Sequence, residues 1–405
     1  MTVTSKSTDT QFALSQEIKQ YVSQKMLITG EKSLDLLLGL LTFITWGRFT
    51  VYPAQILTNL MQLAVALVYD LGLNKPVSQE PAHQVLWEGL PEQTYTLGVR
   101  TMQERRALLG CYIIGITIAS YFRKLEPLRW TPYMDESLEL LINNKEHQSD
   151  LLLVGLVRLI LITENSVEGV WQSSSMPPNH GDGTLLRFYQ RTIQARLDNF
   201  KREVSPELQQ NRMILLGIYG AEAAIHECSV STDSGMFTGP GLQRVDSLYN
   251  YLRATKTWLD LFFTIPPAEY VNLPMPISSQ LGRCLLAAFK ISTFEHPDWD
   301  RSLARETLSM PLILDQVIEK MAQVKTEAGL DSVNEEATDI FTRSARKFSA
   351  AKACILARSE KGCIENNIDA PAGVIEDAQS VMFDDTWMND LLFGPCDYPA
   401  DFPLP

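Results

Sequence analysis

The sequence predicts an all-α fold, a large array of many helices with disordered termini. Long segments place apolar residues three or four positions apart, which is the spacing of one buried helix face. Runs in which apolar and polar residues alternate, as they do in a half-buried strand, are almost absent. Prolines and glycines separate the segments, where they can begin or end helices. Because the chain has 405 residues and 45% of them are hydrophobic, it can bury the core of two subdomains or of one large array.

The helix predicted after Pro53 shows this spacing most clearly. Pro53 suits the first turn of a helix, because its missing N–H would have no partner within the helix there. Gly72 suits the position just past the helix C-terminus, where a left-handed conformation is common, and Pro76 then closes the segment. The apolar stripe between these residues consists of Ile56, Leu60, Leu63, Leu67 and Leu71.

Ten further segments carry apolar residues at helical spacing, and two loops, SSSMPPNHGDG and IPPAEYVNLPMP, divide the array. No repeat of fixed period stands out, so a solenoid of repeats is not predicted. Pro127 and Pro132 are expected to interrupt helical structure after the segment that ends at residue 122. The ten segments are 10–28, 31–46, 102–122, 147–168, 184–203, 206–228, 242–263, 278–293, 311–327 and 332–358.

Three apolar segments are too short to cross a membrane as helices. The segment from Ala107 to Ser120 has 14 residues, whereas a membrane-spanning helix needs about 20. The segments LDLLLGLLTFITWG and DLLLVGLVRLILI fall short in the same way. All three are interpreted as buried helices, with Gly110 and Gly115 allowing neighbouring helices to approach closely. A membrane partner is therefore not predicted.

The charge and the cysteine content exclude several classes of site. A net charge of −13 and a pI near 5.0 are unfavourable for wrapping nucleic acid. The six cysteines form no CxxC pair, so neither a zinc knuckle nor a compact disulfide framework is predicted. We expect reduced thiols in an intracellular protein, no bound cofactor and no direct contact of this chain with nucleic acid.

The last forty residues differ in composition from the rest of the chain. Residues 366–405 include eight acidic residues and no Lys or Arg. Acidic groups keep neighbouring apolar side chains solvated until such a segment meets a partner groove and folds against it. Activation or partner docking is one interpretation, and an inert tail is the other. The residues predicted to dock are Phe383, Asp384, Asp385, Trp387, Asp390, Leu391, Leu392 and Phe393.

Two short motifs contain side chains of the types found in catalytic or metal-binding sites. DDTWMND is similar to the carboxylate pair with which helical terpene cyclases hold magnesium, but it lies about twenty residues from the end of the chain, with no helical scaffold after it. His226 and Cys228 are two positions apart on a predicted helix, so they face different sides and cannot chelate one ion. The sequence contains neither HExxH nor GxSxG, and an enzyme is not the favoured interpretation.

Cationic residues flank the apolar run from Ala107 to Ser120 and suggest a contact surface. Arg105, Arg106, Arg123 and Arg129 are candidates for an anion or partner contact. The alternative is that they are solvated charges at helix ends, where cations near a C-terminus complement the helix dipole. Trp130, in the stretch LRWTPY, is interpreted as a packing anchor rather than a ligand-stacking wall.

Three stretches resemble the middle regulatory region of fungal zinc binuclear-cluster transcription factors. They are QLAVALVYDLGL at 62–73, ERRALLGCY at 104–112 and LRWTPY at 128–133, within a resemblance that covers about 33–141. The acidic, aromatic C-terminus is similar to the tails of such factors. The resemblance implies a helical regulatory domain at 31–362, preceded by a polar, helical segment at 1–30 and followed by the acidic tail at 363–405.

The same resemblance implies a function. Such factors regulate metabolic and secondary-metabolite gene clusters in the nucleus. Their DNA-reading module is a cysteine cluster that holds two zinc ions, whereas residues 1–30 of this chain contain no cysteine. DNA contact is therefore expected from a missing module or from a DNA-binding partner. Transcription machinery, a homodimer or heterodimer partner and a small-molecule effector are the implied partners. A small-molecule-binding or scaffolding helical protein, or a helical secondary-metabolite enzyme, are the alternatives.

Overall fold

The computed structural model describes residues 4–47, 54–76, 99–122, 126–175, 182–230, 241–331 and 339–365. In these ranges the chain forms thirteen α-helices and no strand, which confirms the all-α prediction. Of the acidic tail predicted at 363–405, residues 363–365 belong to the last helix, and the rest lies outside the described residues. The helices are α1 Thr8–Val22, α2 Leu34–Trp46, α3 Ala54–Asp70, α4 Met102–Phe122, α5 Pro132–Asn144, α6 Gln148–Ser175, α7 Asp182–Glu203, α8 Arg212–His226, α9 Gly241–Phe263, α10 Met275–Thr293, α11 Arg301–Thr307, α12 Met310–Glu327 and α13 Ile340–Glu365.

Helix α5 corrects one expectation from the sequence. Pro132 does not interrupt a helix but begins one, because a proline in the first turn removes only an N–H that has no intrahelical partner. The short helix α11 was also not predicted; the Asp300 side chain caps it by accepting from the Leu303 N–H at 3.0 Å. Part of the loop IPPAEYVNLPMP forms a 3₁₀-helix at Pro267–Asn272.

The N-terminal half packs around α4, which contacts α2, α3, α5 and α6. Its centre contains Met61 from α3 and Leu109 from α4, both fully buried. A Cβ added at Gly115 would lie 3.4 Å from the Met61 methyl group, which is an ordinary van der Waals contact, so Gly115 faces α3 but an alanine would also fit there. The expectation that Gly110 allows a close approach was wrong, because an added Cβ there would meet nothing within 4 Å.

The C-terminal half is built on α9, α10 and the hairpin of α12 and α13. The aromatic ring of Phe262 stacks on Trp258 with a centroid distance of 5.2 Å. The 3₁₀-helix supplies Tyr270, whose ring centroid lies 5.3 Å from that of Phe262. These three side chains are almost completely buried and form the centre of the second core.

Helices α6 and α8 pack closely between the two halves. A Cβ added at Gly155 of α6 would lie 2.7 Å from Ile214 Cδ1 of α8. A Cβ added at Gly217 of α8 would lie 2.7 Å from Leu159 Cδ1 of α6. Each helix thus presents a glycine to a branched side chain of the other, and an alanine at either position would require the end of that side chain to shift.

Backbone and side-chain hydrogen bonds also join distant parts of the chain. The Thr8 N–H donates to the Asp331 carbonyl at 3.0 Å, and the Asp331 N–H donates to the Lys6 carbonyl at 2.9 Å. The Trp46 Nε1–H donates to the Asn272 carbonyl at 3.1 Å. The N-terminal helix is therefore attached to the C-terminal half.

One helical stretch in the described part of the chain is long and apolar enough to cross a membrane by length and composition, Arg212–Val230. The sequence interpretation did not single it out. Its buried side chains include Ile214, Leu216 and Ile218, and α8 packs against α6, α7 and α9. The stretch thus occupies the position of a core helix in this fold. The three cysteines whose side chains are described, Cys111, Cys228 and Cys284, are free thiols.

Candidate functional site

Arg105 lies inside the joint between α4 and α5. Its side chain is 6% exposed, and its Nη1 donates to Ser137 Oγ at 2.9 Å. Its Nη2 lies 3.6 Å from a carboxylate oxygen of Glu136, and the guanidinium lies 5.4 Å from the centre of the Tyr133 ring. A buried arginine with these partners stabilises the packing of α5 on α4.

Arg106 forms the corresponding joint between α4 and α6. Its Nε donates to Asp150 Oδ1 at 2.7 Å and its Nη2 to Asp150 Oδ2 at 2.8 Å, while Glu146 accepts a further bond at 2.9 Å. The Asp150 carboxylate also accepts the His147 N–H at 3.2 Å, in the first turn of α6. The hydrogen bonds from Arg106 lower the pKa of Asp150 despite its burial. The chain itself therefore supplies anionic partners to Arg105 and Arg106.

The other two cationic candidates have different surroundings. Arg129 is exposed and makes no hydrogen bond or ion pair with any described residue. Arg123 lies outside the described residues. A contact of these four arginines with an external anion or partner stays a prediction. Among the three that the structure describes, Arg129 has the guanidinium that is exposed and available for such a contact.

Trp130 packs as the sequence indicated. Its ring centroid lies 4.9 Å from that of Tyr112, which is fully buried. Its Nε1–H donates to Asp135 Oδ1 at 2.9 Å, which ties the loop to the first turn of α5. The Tyr112 hydroxyl in turn bonds to Glu164 of α6. The motifs at 104–112 and 128–133 therefore build one structural joint of α4, α5 and α6.

A second polar cluster surrounds the end of α8, where His226 and Cys228 face different neighbours as predicted. His226 Nδ1 lies 2.9 Å from Ser247 Oγ of α9, and burial lowers the pKa of His226 to about 4. Cys228 Sγ lies 3.0 Å from Gln190 Nε2 of α7, and burial raises the pKa of this thiol to about 12. The thiol is thus protonated at neutral pH and a poor nucleophile.

The 3₁₀-turn Glu227–Val230 that follows α8 contacts two more helices. Arg244 of α9 donates from Nε to the Ser229 carbonyl at 2.9 Å. Arg283 of α10 donates from Nη2 to Glu227 Oε2 at 2.6 Å. One short turn therefore links α7, α8, α9 and α10. Sequence reasoning missed this cluster because its partners lie far apart in the chain, 56 positions in the case of Glu227 and Arg283.

Neither polar cluster resembles a catalytic or metal centre. Among the residues that the structure describes, no three His, Cys, Asp or Glu side chains are grouped so that they could hold a metal ion. Both clusters instead connect helices. The predicted docking residues from Phe383 to Phe393 lie outside the described residues.

Comparison with known proteins connects this architecture to a family. A family model described as a C-terminal domain matches residues 267–402. Transcription factor opdL of Penicillium oxalicum is 33% identical over 341 residues, which make up 82% of this chain and 59% of that protein. A transcription factor of Aspergillus terreus is 26% identical over 79% of this chain and 48% of its own length. Transcription factor himD of Aspergillus japonicus is 25% identical over 75% of this chain and 52% of its own length.

The chain thus spans between 48% and 59% of the length of these three relatives. No solved structure matches it. The alignments with these relatives nevertheless span 75–82% of this chain. They confirm that resemblance: the chain is a homologue of fungal transcription factors.

Proposed function

We propose that this chain is the regulatory part of a non-catalytic transcription regulator that acts in the nucleus on a fungal metabolic or secondary-metabolite gene cluster. The observation that carries the proposal is the alignment of 82% of the chain with a protein named a transcription factor. The helical fold supports the same conclusion, because its two polar clusters connect helices and do not converge on a reacting group.

Regulation by such an array requires two packings of the helices that differ in affinity for an effector or partner. The two polar joints are suited to define these packings. Arg106 and Asp150 join α4 to α6, and Glu227 and Arg283 join the end of α8 to α10. A ligand or partner that replaces one partner of either pair would favour a different helix packing.

The acidic tail is proposed as the segment that meets the transcription machinery. Its alternation of acidic and apolar residues is typical of segments that fold on binding. The family model at 267–402 continues through it, so the tail and the C-terminal helices occur together in related proteins. Contact with DNA is proposed to come from another module or from a DNA-binding partner, because this chain carries a net charge of −13.

A reporter assay tests this proposal. The full chain is fused to an unrelated DNA-binding domain, and its signal is compared with that of a variant in which Trp387, Leu391, Leu392 and Phe393 are changed to Ala. We expect the variant to lose most of the signal, since it lacks the apolar groups that dock. The matched control changes Ile368 and Val374 to Ala, two apolar tail residues outside the predicted docking segment, and should keep the signal.

The assay also separates the alternative function. A small-molecule-binding or scaffolding protein without transcriptional output would give the same background signal with the wild-type tail and with the variant. That result would overturn the activation proposal and favour the alternative.

A further inference from the structure

The N-terminal arm, residues 4–28, reaches from one core to the other. Its helix α1 ends at Val22, which is 4% exposed and belongs to the core of the N-terminal half. The other end of the arm lies against Asp331, directly after Leu330, which is buried in the core of the C-terminal half. One short segment therefore spans both halves, and Thr8 is 323 positions away from the residue to which it bonds.

Three hydrogen bonds attach the arm to Asp331. The Thr8 N–H and the Thr8 hydroxyl both donate to the Asp331 carbonyl, at 3.0 and 3.2 Å. The Asp331 N–H donates to the Lys6 carbonyl at 2.9 Å. Water can take the place of each partner when the arm detaches, so the net contribution of these bonds to its attachment is small.

The buried side of α1 near this end is polar. Its buried residues before Val22 are Thr8, Gln11 and Ser15, so little apolar surface enters water when this part of the helix detaches. Ser15 is completely buried, and its hydroxyl makes no hydrogen bond with a described residue. Detachment lets this hydroxyl bond to water, which offsets part of the loss at Asp331. Among the described elements, only the π-helix that follows α1 shares extensive backbone contacts with it.

We propose that the arm is a clasp between the two halves, which opens at Asp331 while Val22 keeps it attached to the N-terminal half. The residues after Val22 suit such a movement. They form the π-helix Ser23–Ile28, and the exposed residues 27–32 that lead to α2 include Gly30, whose φ is +66°. Opening releases the end of α12 from the arm and gives the helical array a second arrangement.

Hydrogen–deuterium exchange of the purified full chain, read by mass spectrometry, tests the clasp. The amides of a segment that opens by itself exchange through a local opening, which exposes little surface and therefore depends little on urea. We expect the amides of residues 12–17 to exchange at least about a hundredfold faster than those of α4 and α9, with almost no dependence on urea. The regulatory meaning of this opening, as one of the two helix packings, rests on the proposed function.

Thr8→Pro removes both donors to the Asp331 carbonyl and keeps the helix. Thr8 is the first residue of α1, where proline is favoured, and Ser7 before it has an extended backbone that tolerates a following proline. We expect about tenfold faster exchange in residues 12–17 and in the peptide that contains Asp331, and unchanged exchange in α4 and α9. Thr10→Val is the matched control, at an exposed threonine of the same turn whose hydroxyl bonds to Ser7, and should exchange as the wild type does.

Two results would overturn the clasp. One is wild-type exchange in residues 12–17 that is as slow and as dependent on urea as in α4 and α9, because the arm would then open only when the whole protein unfolds. The other is equal exchange of the wild type and Thr8→Pro, which would show that Asp331 does not hold the arm. If Thr8→Pro does not fold, the urea dependence of the wild type decides. Exchange does not depend on transcriptional output, so its failure leaves the reporter result untouched, and the reverse also holds.

Discussion

The guanidinium of Arg106 holds the carboxylate of Asp150 through two hydrogen bonds of 2.7 and 2.8 Å. Arg106 belongs to the motif ERRALLGCY, and Asp150 begins the long helix α6, 44 positions later in the chain. The carboxylate is 3% exposed and the arginine 21%. The pair therefore fixes the direction in which α6 leaves the loop after α5.

Removal of the arginine should destabilise the fold strongly. Arg106→Met keeps the hydrocarbon stem but leaves a buried carboxylate without its cation. We expect the free energy of unfolding to fall by about 2–4 kcal/mol, somewhat less than for a fully buried pair because Arg106 retains some exposure. Urea denaturation followed by circular dichroism at 222 nm measures the change.

Arg129→Met is the matched control for this measurement. Arg129 is exposed and unpaired among the described residues, so its loss should change the free energy of unfolding by no more than about 0.5 kcal/mol. Equal stability of the two variants would show that the Arg106 pair does not hold the helices together.

The pair of Arg106 and Asp150 should also make the stability of the fold depend on pH in the acidic range. The folded-state pKa of Asp150 is lowered by Arg106, so its contribution is complete above the unfolded pKa of about 3.9 and is lost as the pH falls through the folded pKa. Urea midpoints measured from pH 5 to pH 2.5 should therefore decrease more steeply for the wild type than for Asp150→Asn. Parallel curves for the two proteins would contradict the assignment.

The crossing of α6 and α8 should be sensitive to a single methyl group. Gly155→Ala places a Cβ 2.7 Å from Ile214 Cδ1, so a buried side chain must move. Overpacking of this kind costs about 1–3 kcal/mol. Gly110→Ala is the control in α4, where the Cβ meets nothing within 4 Å, and it should stabilise the protein by up to about 1 kcal/mol. Thermal or urea unfolding of both variants checks the difference in sign.

The helices were predictable because each depends on neighbours in sequence. The stripe from Ile56 to Leu71 and the glycine at 72 located α3 closely, while Pro132 was assigned as an interruption although it begins α5. Arg105 and Arg106 were recognised as candidates, but their actual partners lie 32 and 44 positions away, and no local pattern encodes such distances. The joint of Glu227 with Arg283 was missed for the same reason.

Protonation of His226 should lower the stability of the fold in a pH range above the one in which Asp150 acts. The side chain is largely buried against Ser247, and burial together with the charge of Arg253 lowers its folded pKa to about 4. Between this value and an unfolded pKa of about 6.5, the unfolded chain binds a proton that the folded chain does not. The contribution of neutral His226 to the free energy of unfolding is therefore complete above pH 6.5 and is lost progressively as the pH falls toward 4. We expect a loss of roughly 1–3 kcal/mol over that range, measured as the urea midpoint, and a flatter curve for His226→Gln. A variant whose midpoint follows the wild type from pH 7 to pH 4.5 would show that another group titrates there, because only the imidazole has been removed.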